Sequence, residues 1–188
     1  AVEGLAHGFT RRRGPNGQII DLGRGAGAEP WRVVCGALGL AESTVARVSQ
    51  VHGRGVCHVT EPGLYGEGDA LITRQRGVLL AIRTADCVPI LVVGDEGELA
   101  AIHAGWRGVA AGVVPAALAQ MHAPRQAAIG PCISTASYEV GEEVIEGIVA
   151  GGVPESIVAD RSHGARPHAD LKAAVAWQLQ QAGVEVDV

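Results

Sequence analysis

Two features of the chain predict an α+β fold in one domain. Short, nearly continuous apolar runs rich in Val and Ile, punctuated by Gly and Pro, fill the first half; longer Ala-rich segments with helical periodicity mix with strands in the second. No repeat, linker or composition break divides the 188 residues, a length that can bury a real core, and 47% of them are hydrophobic.

In chain order, the first thirty residues are Gly- and Arg-rich and read as loop with one short strand. Residues 31–40 suit a short helix. Alternating patterns at 45–51 and 55–60 and apolar runs at 69–73, 78–84, 88–93 and 99–103 read as strands, because they are short and β-branched. The Ala-rich stretch 106–121 reads as a helix kinked or broken at Pro115. Residues 125–130 form a further strand, and 138–150 and 169–182 are helical, with Tyr138 and Glu139 opening the first. Asp170 suits the start of the second and Gly183 its end.

Composition excludes several function classes. The formal net charge is −5 and no basic run exists, which argues against a binder of duplex DNA or of an anionic membrane. Lys172 is the single lysine, so Schiff-base chemistry or a Walker-type phosphate loop would depend on one residue in an ordinary helical pattern. No segment approaches the roughly 20 apolar residues needed to span a bilayer, and no basic-then-apolar leader opens the chain. The four cysteines, Cys35, Cys57, Cys87 and Cys132, form no CxxC pair, so reduced thiols in a cytoplasmic protein are expected.

Three places interrupt apolar ground with reactive side chains. His52, Cys87 and His103 each lie at the end of a strand-like run. Their spacing is no zinc-finger signature, and each has an ordinary reading as a hydrogen-bonded histidine or a buried thiol. Residues 103–108, His-Ala-Gly-Trp-Arg-Gly, join a strand to a helix start. There, free N–H groups, Gly105 and the Arg107 fork can receive an anion, or simply form a tight turn with a solvated arginine. At Gly130-Pro131-Cys132 a turn with a buried thiol is favoured over a nucleophile. His7, His58, His122, His163 and His168 lie in less promising positions.

Taken together, Gln50-Val51-His52-Gly53, Asp69-Ala70-Leu71-Ile72-Thr73, Thr84-Ala85-Asp86-Cys87-Val88-Pro89, His103-Ala104-Gly105-Trp106-Arg107-Gly108 and Ile129-Gly130-Pro131-Cys132, with His7-Gly8-Phe9-Thr10 as an opening, resemble a bacterial family. It is the laccase-domain, YfiH-like family, first described as multicopper polyphenol oxidases and later as purine nucleoside phosphorylases. The resemblance, which runs from about residue 7 to Gly183, implies mixed β-sheets packed together with helices outside, in a single domain over residues 1–188. It implies Zn2+, or alternatively Cu2+, held by His52, Cys87 and His103. It also implies phosphorolysis of adenosine, inosine and methylthioadenosine, with adenosine deamination as a side activity. Polyphenol oxidation and peptidoglycan editing are also attached to the family. The chain departs from the pattern between Arg13 and Trp31, where a longer loop is usual, and at Val188, where the family continues with a further C-terminal segment.

Three ligands leave a metal coordination position open, as at catalytic sites. In this reading Cys87, His103 and Asp86 are catalytic, Asp86 orienting a histidine or carrying a proton, while Arg107 and Gly105 receive phosphate. A copper oxidase would add an axial methionine, for which only Met121 is available, and a richer histidine cluster. A metal-free Cys–His hydrolase would use Cys87 as nucleophile and His103 as base. The expected partners are purine nucleosides and phosphate, with a homodimer left open and neither nucleic acid nor membrane involved.

Overall fold

The computed structural model describes residues 5–10, 13, 20–22, 28–162 and 164–187. Most of the expected N-terminal loop and strand, His163 and Val188 lie outside these residues.

Helix α1 (Ala28–Ala37) precedes β1 (Val45–Ser49), β2 (Val56–His58), β3 (Gly63–Glu67), β4 (Ala70–Thr73), β5 (Leu79–Leu80), β6 (Val88–Gly94) and β7 (Leu99–Ala104). Helices α2 (Trp106–Ala111) and α3 (Val113–Leu118) lead to β8 (Pro124–Ile129). Then follow α4 (Glu142–Ala150), α5 (Glu155–Val158), β9 (Ala159–Asp160), β10 (His168–Ala169), α6 (Leu171–Gln181) and β11 (Glu185–Asp187). The main sheet is mixed and six-stranded, in the order β11-β8-β6-β7-β4-β2; a parallel sheet β3-β1-β5 and the pair β10-β9 complete the strands.

Strand periodicity divides the core. Ala70, Ile72, Val88, Ile90, Val92, Ala100, Ile102 and Ala127 face the helices, where they meet Val109, Val113, Ile145, Ile148 and Leu179. On the opposite face Leu71 packs with Ala46, Val48 and Val59, joining the two sheets. With no large aromatic residue in the main cluster's fully buried set, Leu, Ile and Val fill it.

Three expectations shift, and one strand is added. The 106–121 helix breaks at Gly112, whose φ of 79° is left-handed, rather than at Pro115. Pro115 becomes the third residue of α3, in a first turn where a missing N–H leaves nothing unsatisfied. The 138–150 helix begins only at Glu142: Tyr138 and Glu139 run beside His168, with Ala169 N–H donating to Tyr138 O at 3.0 Å. In 78–84 only Leu79 and Leu80 are strand, because the Gln50 amide replaces a partner strand at Arg83. It accepts from Arg83 N–H at 2.9 Å and donates to Arg83 O at 2.7 Å. The Gly-rich, largely exposed β3 carries no apolar alternation and is not apparent from the sequence.

Helix α6 follows expectation closely. Asp170 caps it by accepting from Ala173 N–H at 2.8 Å. Gly183 N–H donates to Gln180 O and Val184 N–H to Leu179 O, a Schellman closure that the 75° φ of Gly183 permits.

Candidate metal centre

Antiparallel register builds the centre. In the β6–β7 ladder Val88 faces Ala104 and Pro89 faces His103, so the next pair outward is Cys87 with Gly105. In the β4–β7 ladder Ala70 faces Ile102, which sets Asp69 against His103. Backbone and side chain both close that pair: His103 N–H donates to Asp69 O at 2.7 Å, and His103 Nδ1 lies 2.8 Å from Asp69 Oδ1.

His52 arrives from the loop after β1 with a left-handed φ of 59°, which an L residue adopts only when its surroundings enforce it. The fully buried Asp69 carboxylate enforces it, accepting from the N–H groups of Val51 at 3.3 Å, His52 at 3.0 Å and Gly53 at 2.7 Å. One carboxylate therefore fixes both histidines. An ionised carboxylate only accepts, so the proton sits on His103 Nδ1 and the Nε2 lone pair is free to ligate.

The donor atoms of His52, Cys87 and His103 lie within 4.8 Å of one another, and the two imidazoles meet edge-on with centroids 4.8 Å apart. Atoms sharing one zinc stand roughly 3.5 Å apart, so small side-chain adjustments close the set. Gly105 keeps the space: a Cβ there would stand 2.9 Å from both Cys87 Sγ and His52 Cδ2. Two imidazoles, one thiol and a backing carboxylate fit a divalent metal of borderline softness.

Burial pushes His103 below the usual histidine range despite Asp69, which favours the neutral, ligating form. Burial pushes the Cys87 thiol up, and Asp86, Asp69 and Cys132 add to this. Without a metal that thiol is protonated at neutral pH, the opposite of what an activated hydrolase nucleophile needs.

A cavity of about 1250 Å³ opens onto the three donors, and His7, Phe9, Arg83, Asp86 and Pro131 are among its walls. Asp86 is exposed there; the carboxylate on His103 is that of Asp69, not Asp86. Arg107 is exposed on α2 and stacks over Trp106 at 4.5 Å, outside the cavity wall. Gly105 serves clearance between two donors, a role not visible in its expected assignment to phosphate. Tyr138 borders the same region: burial pushes its phenol up, Cys87 and Asp86 add to the shift, and Arg107 opposes it. Cys132 is half-buried, with its thiol raised by burial against a lowering influence of Lys172. Among the described residues all four cysteines are free thiols. His58 pairs with Gln120 at 3.0 Å, away from the centre.

Asp69 is the residue that sequence reasoning missed. Its signal was a charged side chain directly in front of the apolar run 70–73, between a glycine and an alanine.

The chain is 42% identical over 164 residues to a purine nucleoside phosphorylase of Deinococcus radiodurans, covering 84% of this chain and 63% of that protein. It is 36% identical over 205 residues to a purine nucleoside phosphorylase of Streptomyces coelicolor, covering 97% and 83%. An adenosine deaminase from an unknown prokaryotic organism is 37% identical over 125 residues, covering 62% and 47%. Among solved structures, Neisseria meningitidis protein NMB0706 superposes with a TM-score of 0.76 at 29% identity, over 90% of this chain and 73% of that one. YlmD of Geobacillus stearothermophilus gives 0.76 at 27%, over 89% and 73%. The chain thus spans just under two thirds of the Deinococcus protein. Residues 24–188 match the family described as multi-copper polyphenol oxidoreductase laccase, and it is to this YfiH-like family that the chain belongs.

Proposed function

We propose that this chain forms the zinc-dependent centre of a purine nucleoside phosphorylase acting on adenosine, inosine and methylthioadenosine, with adenosine deamination as a second activity. The observation that carries the reading is the convergence of His52, Cys87 and His103, backed by Asp69, on an open cavity. The names of the relatives in Deinococcus and Streptomyces support phosphorolysis, and that of the deaminase relative supports deamination.

A bound zinc supplies Lewis acidity and, for deamination, lowers the pKa of a water. The chain's own residues do the rest. Asp69 holds the proton on His103 Nδ1 and locks His52 in its turn. In phosphorolysis an oxygen of phosphate bonds to C1′ as the C1′–N bond breaks, and the departing base takes up a proton. Asp86, exposed on the cavity wall, is assigned to proton transfer; Arg107, exposed on α2 beyond that wall, is assigned to the anion through its bidentate fork.

The copper-oxidase reading lacks its axial methionine. Met121 packs 3.4 Å from the Cβ position of Gly94, at the opposite end of β6 from Cys87, roughly 20 Å along the strand.

The test is an assay of adenosine and inosine with and without phosphate, measuring base and ammonia separately, on zinc-loaded and chelator-treated protein. Phosphate-dependent base release that disappears with the metal is expected. Base release indifferent to phosphate or to chelation would refute the reading. Arg107→Ala should raise the KM for phosphate roughly tenfold, the loss of one charge-assisted contact, while sparing deamination. An unchanged value in Arg107→Ala together with a rise in Arg83→Ala would move the anion to the arginine on the cavity wall.

A further inference from the structure

The chain holds one Phe, three Trp and two Tyr, so flat apolar surface is scarce. Two of these rings line the cavity that contains the metal donors, Trp31 and Phe9. Trp31 is 4% exposed, and the Arg47 guanidinium lies over its ring at 4.9 Å. Phe9 is 37% exposed.

Glycine at position 130 seats this ring. A Cβ on Gly130 would fall 2.4 Å from both Cδ1 and Cε1 of Phe9 and 2.8 Å from Pro89 Cγ. Gly130 N–H donates to Pro89 O at 2.9 Å, and Pro89 stands opposite His103 in the β6–β7 ladder. Phe9 is therefore wedged against the strand pair that carries His103 and leads to Cys87, with more than a third of its surface open.

From this arrangement we propose that Phe9 is the surface on which the purine base stacks, so that it sets affinity for the base rather than for sugar or phosphate. The proposal rests on the nucleoside reading of the centre and names the residue that grips its substrate. A purine presents a planar π-face whatever its exocyclic group. Stacking on a phenyl ring consequently accepts adenine and hypoxanthine alike. A hydrogen-bonding pocket would distinguish the amino group from the carbonyl.

The test uses the zinc-loaded full chain and two readouts: equilibrium binding of free hypoxanthine, and KM values for inosine, adenosine and phosphate. Phe9→Leu, which keeps apolar bulk and loses the ring, should weaken hypoxanthine binding and raise both nucleoside KM values roughly tenfold. Zinc content and the KM for phosphate should not move. Phe9→Tyr, which restores a ring, should recover most of the loss. Gly130→Ala, whose Cβ would displace the ring and also press on Pro89, should likewise weaken hypoxanthine binding. Hypoxanthine binding that is equal in wild type and Phe9→Leu overturns the proposal, as does a Phe9→Leu loss that falls equally on phosphate, or wild-type protein that binds no hypoxanthine. Wild-type protein that binds hypoxanthine in a ring-dependent way yet releases no base from either nucleoside supports the stacking surface and overturns the phosphorylase reading instead.

Discussion

Asp69 shows how much one buried side chain can organise. Its two oxygens accept from three consecutive backbone N–H groups and from His103, with no exposure to water. Asp69→Asn keeps the shape but replaces one acceptor by a donor, which then faces N–H groups that need acceptors. We expect zinc affinity to fall about 10- to 100-fold, the usual effect of losing a residue that orients a metal-binding histidine. Competition with a chromophoric chelator measures this, with circular dichroism confirming the fold. Wild-type affinity in Asp69→Asn would show that the carboxylate is only structural. Gly105→Ala makes a sharper case, because its Cβ would stand 2.9 Å from the Cys87 thiol and from a ring carbon of His52. Purified Gly105→Ala should be folded and metal-poor; a full complement of zinc would show that the side chains shift aside freely. Cys132, on a neighbouring turn, separates the two thiols by role: Cys132→Ala should keep its metal, and Cys87→Ala should lose it.

At the scale of elements, the break between α2 and α3 is set by backbone conformation rather than by the proline. Gly112 has a φ of 79°, and its N–H donates to Val109 O, closing α2 before α3 restarts. An alanine there would meet only Pro115 Cγ at 3.4 Å, so sterics are mild and the cost is conformational. Gly112→Ala should cost about 1–2 kcal/mol, measurable as a lower urea midpoint, whereas Pro115→Ala should change stability little. A larger loss in Pro115→Ala would restore the proline as the determinant. The same contrast explains what the sequence revealed. The central strands were legible because each is a buried apolar run; His52, Cys87 and His103 stood out singly as polar side chains at the ends of such runs, and only the family resemblance grouped them. The partners of those residues were not legible, since Asp69 meets His103 only through the β4–β7 register, and Gly105 meets Cys87 only through β6–β7. Gln50 likewise stands in for a strand at Arg83, a substitution that no local periodicity encodes. Where a side-chain amide or a distant register supplies the partner, tertiary geometry decides.

For the whole molecule, the centre lies where two separately packed regions meet. His52 leaves the sheet that contains β1, while Cys87 and His103 belong to the six-stranded sheet, so a metal held by all three ties one to the other. No described helix is long and apolar enough to cross a membrane. A ligand at a thousand times its Kd stabilises the native state by about 4 kcal/mol, which for a chain of this size moves Tm on the order of 10 °C. Chelation at pH 8 should therefore lower Tm by about that amount. The pH dependence of the metal-free protein follows from His103. Burial holds its folded-state pKa below the unfolded value of about 6.5, so between the two the unfolded chain binds more protons. That stability is present above about pH 6.5 and is lost as pH falls through the folded pKa. Acidification also drives the metal off, because protons compete for its ligands. The Tm gap between zinc-loaded and chelated protein should accordingly narrow from pH 8 to pH 5, while the chelated protein itself softens below about 6.5. The opposing force is Asp69, whose hydrogen bond favours a charged imidazole. If Asp69 dominated, the metal-free protein would gain stability on acidification through that range, and calorimetry of the chelated chain at three pH values separates the two outcomes.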